Sequence, residues 1–274
     1  MFRQVGTTFV LPTAVPNNMT TNAQLQLEHF AQIDHDRRFR WQTEDAFVVE
    51  REHATILPLA EALRAHRAAL GRPLRLLESG CGEGVNMIHL RQMGLSESDY
   101  LFEGVDVSAE AVAEGARHGM RVRVGDGLHL PYPDASVDAV YTRDVLHHLG
   151  NDDERRQFIA EMRRVAGPHG IVVIVEPNPW NPMIYAFAWL VRAERGILTG
   201  TESRLRRQLP DARVVRMTPS AAWRGWVHYR SPLIAWDPLT RLVKKCLRGW
   251  EAFCRHLPTH FWAWRAYVWG PTSR

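Results

Sequence analysis

The apolar positions change their spacing twice along the chain. Residues 23–70 read as helical. Thr43, followed by Glu44 and Asp45, reads as a helix start: a cap oxygen, then acids at the positive end of the dipole. Pro58 is expected to interrupt this stretch, and Gly71 with Pro73 to end it. Short apolar runs then alternate with helical segments. Leu74–Glu78, Leu101–Val107, Val122–Gly125, Val137–Tyr141 and Gly170–Val175 read as strands; Val85–Met93, Ala109–His118 and Asp152–Val165 read as helices. The fifth strand carries Ile-Val-Val-Ile-Val with no polar break, as strands covered on both faces do. This alternation predicts an α/β fold with a mostly parallel sheet and helices on both faces.

After Glu176 the pattern changes again. Met183–Arg195 reads as an apolar helix. Ala212–Met217 and Trp262–Val268 read as two strands that close the sheet edge as an antiparallel pair, which makes seven strands in all. Between them, 223–258 is a Trp-rich, basic, helical insert. The expected organisation is a flexible arm over 1–22 and a single domain over 23–274. That domain comprises N-terminal helices or lid (23–71), a ligand-binding core (72–180) and an acceptor side (181–274).

Composition sharpens this division. The chain has 274 residues, 45% hydrophobic and 23% charged, which is ordinary globular usage and excludes general disorder. Its net charge of +4 hides a split. Up to Glu176 there are 18 basic and 25 acidic residues; from Pro177 onward there are 16 basic and 5 acidic. Nine of the ten tryptophans lie in that basic stretch, and only Trp41 lies outside it. Three cysteines cannot form a disulfide framework, and a reducing, cytoplasmic setting is expected. Cys81 reads as a small turn residue, and Cys246 and Cys254 as core. Residues 1–22 lack the basic start and apolar segment of a signal peptide. The longest apolar run, Met183–Val191, has nine residues, against about 20 for a spanning helix.

The candidate chemistry sits at strand ends, where open α/β sheets bind ligands. The first strand runs into Glu78-Ser79-Gly80-Cys81-Gly82-Glu83-Gly84, whose glycines permit a tight turn and close approach of a ligand to backbone. A carboxylate at the end of the second strand, Asp106, can accept from both hydroxyls of a ribose. Another, in Gly125-Asp126-Gly127, can accept from an adenine amino group. Beyond these come Leu-Pro-Tyr-Pro-Asp-Ala-Ser-Val-Asp (130–138), Arg143-Asp144 and Leu146-His147-His148-Leu149.

Together these motifs closely resemble the class I S-adenosylmethionine-dependent methyltransferases, of the type 11-like kind that modifies small molecules and lipids. The resemblance covers 74–180 well and the two closing strands loosely, and implies a Rossmann-like sheet with S-adenosylmethionine as cofactor. By it, Glu78, Gly80, Gly82 and Gly84 hold the methionine part and approach the ribose. Asp106 takes the ribose hydroxyls, Val107 lies against adenine, and Asp126 with Gly127 reads the adenine edge. Arg143 and Asp144 flank the methionine amino and carboxylate groups. His147 lies on the acceptor side, and His148 is the candidate general base. Glu176 and Asn178 help to build the acceptor pocket, and Trp41, with Phe39 and Phe47, contributes to a lid. Cys81 and Glu83 occupy variable positions of the turn and gain no role. No metal is implied.

The expected function is methyl transfer to O, N or C of a small-molecule or lipid-like acceptor. A nicotinamide-dependent oxidoreductase is the alternative. It is disfavoured by the G-x-G-x-G spacing, where dinucleotide folds carry G-x-G-x-x-G. A non-catalytic cofactor-binding partner protein is a third reading. For the basic, Trp-rich third, peripheral contact with an anionic membrane competes with plain packing of extra helices. Nucleic-acid binding is not expected, and the oligomeric state is open.

Overall fold

A computed structural model of the chain describes residue 28 and residues 31–231 and 237–271. The arm expected over 1–22 lies outside the described residues. Helix α1 (His35–Glu44) leads into α2 (Ala46–Leu70). The start of α2 is capped by Asp45, whose carboxylate accepts from the backbone N–H groups of Phe47 and Val48. Thr43 does not serve as that cap, because its hydroxyl donates back to the Phe39 carbonyl within α1. Pro58 does not interrupt α2 either. A proline inside a helix costs about 3 kcal/mol. Burial of Ile56, Leu59 and Leu63, each fully enclosed, returns about 1.5–3 kcal/mol apiece and outweighs it.

The remaining elements are β1 (Leu74–Ser79), α3 (Val85–Gln92), β2 (Tyr100–Asp106), α4 (Ala109–Arg117), β3 (Val122–Val124), β4 (Ala139–Arg143), α5 (Asp152–Ala166), β5 (Ile171–Pro177), α6 (Pro182–Leu190), α7 (Glu202–Gln208), β6 (Arg213–Met217), α8 (Ala222–Trp226), α9 (Asp237–Cys254) and β7 (Trp264–Trp269). The apolar pattern expected to run as one helix to Arg195 stops at Leu190 and continues as a 3-10 segment, Arg192–Thr199. Cys254 is buried as expected, but Cys246 is exposed.

The seven strands form one sheet in the order β3-β2-β1-β4-β5-β7-β6. β1 to β5 run parallel, and β7 is antiparallel to both β5 and β6. The chain winds outward from β1 to β3 and then crosses back to place β4 beside β1. That reversal opens a crevice at the C-terminal ends of β1 and β4. One core cluster joins α2 and α3 to one sheet face through Leu63, Leu76, Met87 and Tyr141. The other packs α5 on the opposite face through Phe158, Met162, Val140 and Ile174.

A third cluster joins the N-terminal helices to the C-terminal insert: Phe47 and Val48 of α2, Trp223 of α8 and Leu247 of α9. Trp223 is completely enclosed there. Trp223→Ala is expected to destabilise the fold by about 3–5 kcal/mol. The check is the midpoint of urea unfolding, which should move as a single transition seen by both circular dichroism and fluorescence.

Candidate functional site

The turn after β1 is shaped by its glycines. Gly80, Gly82 and Gly84 all have positive φ, at 77°, 51° and 78°. At Gly80 a side chain is also excluded by space, since a Cβ would come within 2.5 Å of Val145 Cγ2. The turn therefore lies directly against the segment that follows β4. At Gly82 a Cβ would meet nothing within 4 Å, so this side of the turn is open.

Three carboxylates surround that turn. Glu78 is completely buried at the end of β1. Its Oε1 accepts from Asn86 Nδ2 at 2.5 Å, and the buried Tyr141 hydroxyl also lies against the carboxyl. Burial pushes its pKa up to about 8, opposed by Asn86, Tyr141 and Arg143. Asp106 uses one oxygen to accept from Gly82 N at 2.7 Å and the other from Ser108 N at 2.9 Å. It thereby fixes the glycine turn, while Ser108 caps α4. Burial raises its pKa as well. Val107 is half-buried beside it. Asp126 accepts from Leu128 N at 2.8 Å and lies 3.1 Å from His129, and Gly127 leaves no room for a Cβ against the Phe158 ring.

Arg143 closes the crevice from the β4 side. Its guanidinium donates to Asn86 Oδ1 at 3.0 Å, so Asn86 links Arg143 to Glu78. It also pairs with the buried Glu52 of α2 and lies 3.6 Å from Asp144. Arg224 of α8 completes a ring of alternating charge, 3.3 Å from Glu52 and 3.2 Å from Asp144. Asp144 takes a further bond from Trp264 Nε1 at 3.0 Å. The two cations outweigh burial and bring its pKa down to about 2. Arg143 and Asp144, expected to flank the methionine groups, are tied to α2, α8 and β7.

Glu83, given no role from the sequence, is buried and holds α1 over the turn. It lies 2.5 Å from His35 Nδ1 and 3.5 Å from Arg38. Phe39 of the same helix stacks on His118 at 3.7 Å. Trp41 is directed elsewhere. Its indole donates to the Val227 carbonyl at 2.6 Å and its ring meets Trp223 and Tyr229.

The segment expected on the acceptor side is organised by Glu176. One of its oxygens accepts from Val145 N and Leu146 N, at 2.9 and 2.8 Å, and the other bonds His147 Nδ1 at 2.8 Å. Glu194 lies 3.3 Å from His147 Nε2. Two carboxylates overcome the burial penalty and raise the His147 pKa to about 10, which keeps the ring charged at neutral pH. Ligand atoms of His147, His148 and Glu194 lie within 4.8 Å of one another, a donor set of metal-binding composition. In this geometry the His147 protons already serve Glu176 and Glu194, so a metal would have to displace one. His148 is half-buried with its ring 4.0 Å from that of His147. Asn178 is occupied by the chain path: its amide donates to the carbonyls of His260 and Trp262, both at 2.7 Å, and accepts from Trp180 N. Gly196 packs so closely on the His147 backbone that any Cβ would overlap the His147 carbonyl oxygen. Arg155 reinforces that contact, donating to the Leu146 carbonyl and the Thr199 hydroxyl.

The crevice therefore brings together Glu78, the glycine turn, Asp106, Asp126 and Arg143. Glu52, Asn86, Glu194 and Arg224 join it without any local sequence signal. Glu83 carried one, being a charged residue inside a glycine turn.

Residues 77–174 match the family model described as a methyltransferase domain. A tRNA (carboxymethyluridine(34)-5-O)-methyltransferase of Arabidopsis thaliana is 35% identical over 99 residues, which is 36% of this chain and 23% of that protein. Norajmaline N-methyltransferase of Rauvolfia serpentina is 33% identical over 113 residues, 38% of this chain and 36% of its own length. The matched segments thus span well under half of these relatives. The crystal structure of magnesium protoporphyrin IX methyltransferase from Synechocystis PCC 6803 with bound SAH superposes with a TM-score of 0.53 at 17% identity, over 90% of this chain and 98% of that one, and shows the same fold. Residues 77–174 thus resemble a methyltransferase domain, set within a seven-stranded sheet whose fold is shared with that crystal structure.

Proposed function

We propose that this protein transfers a methyl group from S-adenosylmethionine to a small-molecule or lipid-like acceptor. The observation that carries this reading is Glu78, a carboxyl wholly buried at the end of β1, beside an open glycine turn and in no ion pair among the described residues. A buried carboxylate without a counter-ion is costly to ionise, and the cationic amino group of a methionine moiety would supply one. Asp106 retains lone pairs for the ribose hydroxyls, and Val107 and Asp126 flank the place of the adenine. When bound, the cofactor supplies an electrophilic methyl group and a good leaving group, so the protein's task is orientation and exclusion of water.

The chain's own residues divide that task. Asn86 fixes both Glu78 and Arg143. Glu83 holds α1 across the turn. His147, held charged by Glu176 and Glu194, positions the segment after β4 and is not a base at neutral pH. His148 is our candidate to take a proton when the acceptor is a hydroxyl or an acidic carbon, a contribution of about 10²–10⁴-fold.

Asp106→Ala is expected to weaken S-adenosylmethionine binding at least tenfold by titration calorimetry, while circular dichroism keeps the wild-type spectrum. Wild-type affinity in that variant would remove the cofactor assignment. A pH dependence follows from Glu78. Without ligand the folded carboxyl keeps its proton up to about pH 8 and the unfolded one loses it near 4.5, so stability falls as pH rises between these values. Glu78→Gln should flatten that slope in denaturant titrations. Ligand binding to the ionised form should release a proton below pH 8, so wild-type affinity should rise from pH 6 to pH 8; a flat profile would contradict the assigned partner.

A further inference from the structure

The surface farthest from ordinary globular behaviour is formed by α6 and α9. Of twelve exposed large hydrophobic side chains among the described residues, ten lie between Trp180 and Leu257. Helix α6 carries no charged residue, yet Tyr185, Phe187, Trp189 and Leu190 face solvent, Trp189 at 63% and Leu190 at 72% exposure. A helix apolar on all sides is normally enclosed.

Helix α9 divides into three arcs. Leu247 and Cys254 face the protein. Leu242, Cys246, Trp250 and Phe253, spaced i, i+4, i+8 and i+11, form an exposed apolar arc. Arg241, Lys244, Lys245 and Arg248 form the third arc beside it. Lys244 and Arg248 pair with Asp45 and Glu50, whereas Arg241 and Lys245 make no ion pair among the described residues. Met183 of α6, Ala222 and Trp226 of α8, and Val243 and Trp250 of α9 line an apolar groove of about 380 Å³. Among the described residues no helix is long and apolar enough to cross a membrane.

Apolar area bordered by unpaired cations and exposed tryptophans, on helices lying along the surface, is the chemistry of a membrane interface. Charge complementarity selects the occupant. The region from Pro177 onward carries 16 basic and 5 acidic residues, so two copies of this face repel each other and an anionic lipid surface attracts it. We propose that α6 and α9 dock this protein onto an anionic bilayer, with the α9 apolar arc and the exposed α6 rings at the acyl boundary and Arg241 and Lys245 at the headgroup phosphates. The proposal deepens the activity proposed above, on which its acceptor side rests: a lipid-like acceptor would be drawn from that bilayer. Helix α8 spans the two regions, since Ala222 and Trp226 line the groove while Arg224 reaches Asp144 at the end of β4.

The test uses the full chain in co-sedimentation with vesicles of phosphatidylcholine alone or mixed with phosphatidylglycerol. Binding is expected only with the anionic lipid and should fall as salt is raised. The double variant Trp250→Asp/Phe253→Asp should lose at least tenfold in partitioning, and Arg241→Ala and Lys245→Ala about fivefold each. S-adenosylmethionine affinity by calorimetry should stay at the wild-type value in every variant, which shows that each is folded. Failure to sediment with anionic vesicles overturns the proposal, as does wild-type partitioning of the Trp250/Phe253 variant. So does a dimer in sedimentation velocity that this variant dissociates. Intact vesicle binding by a protein with no S-adenosylmethionine affinity would remove the methyltransferase reading and leave the docking surface standing.

Discussion

The guanidinium of Arg143 is the constraint on which the site depends. It is a buried cation at the end of β4, and a charge taken out of water is tolerated only where opposite charges and hydrogen bonds replace the solvent. Glu52, Asp144 and Asn86 provide that replacement, and each comes from a different part of the chain. Satisfying one cation therefore fixes the position of α2, the segment after β4 and the helix after the glycine turn. Arg224 extends the same requirement to α8, and Trp264 to the antiparallel edge of the sheet. The alternating order of charges matters more than their number: each carboxylate of the ring lies between two cations, so loss of either neighbour would leave a buried charge uncompensated.

The carboxylates of the crevice fall into two groups with opposite electrostatics. Asp144, placed between Arg143 and Arg224, is held ionised with a pKa of about 2. Glu78, farther from those cations and wholly enclosed, is held protonated up to about pH 8. Two acids at the ends of neighbouring strands thus differ in charge at neutral pH because one has its counter-ions built into the fold and the other does not.

The fold was legible from the sequence where local pattern and burial agree. The parallel strands announce themselves as apolar runs ending in glycine or a carboxylate, and the antiparallel return of β6 and β7 was readable as two alternating segments near the end of the chain. The reading failed where tertiary packing overrules a local rule. Pro58 stands inside α2 because its neighbours are buried on nearly every side, and Thr43 yields the cap to Asp45 because its hydroxyl has a nearer carbonyl. Of the site, Glu78, the glycines, Asp106 and Asp126 were visible because strand-end position alone defines them. Glu52 and Arg224 were not, since they are 172 residues apart and meet only across the folded molecule. Glu176 and Asn178 were expected at the acceptor, and the structure has both organising backbone: the amides of Val145 and Leu146 in one case, the carbonyls of His260 and Trp262 in the other.

The close approach of Gly196 to the His147 carbonyl limits how this wall beside β4 can change shape. Because no side chain fits at position 196, the 192–199 turn and the 146–148 turn cannot slide past one another; Arg155 fastens them further. The wall they form behaves as one rigid block set by shape. Its chemistry can be altered residue by residue at the faces that point outward, but its outline is inherited whole.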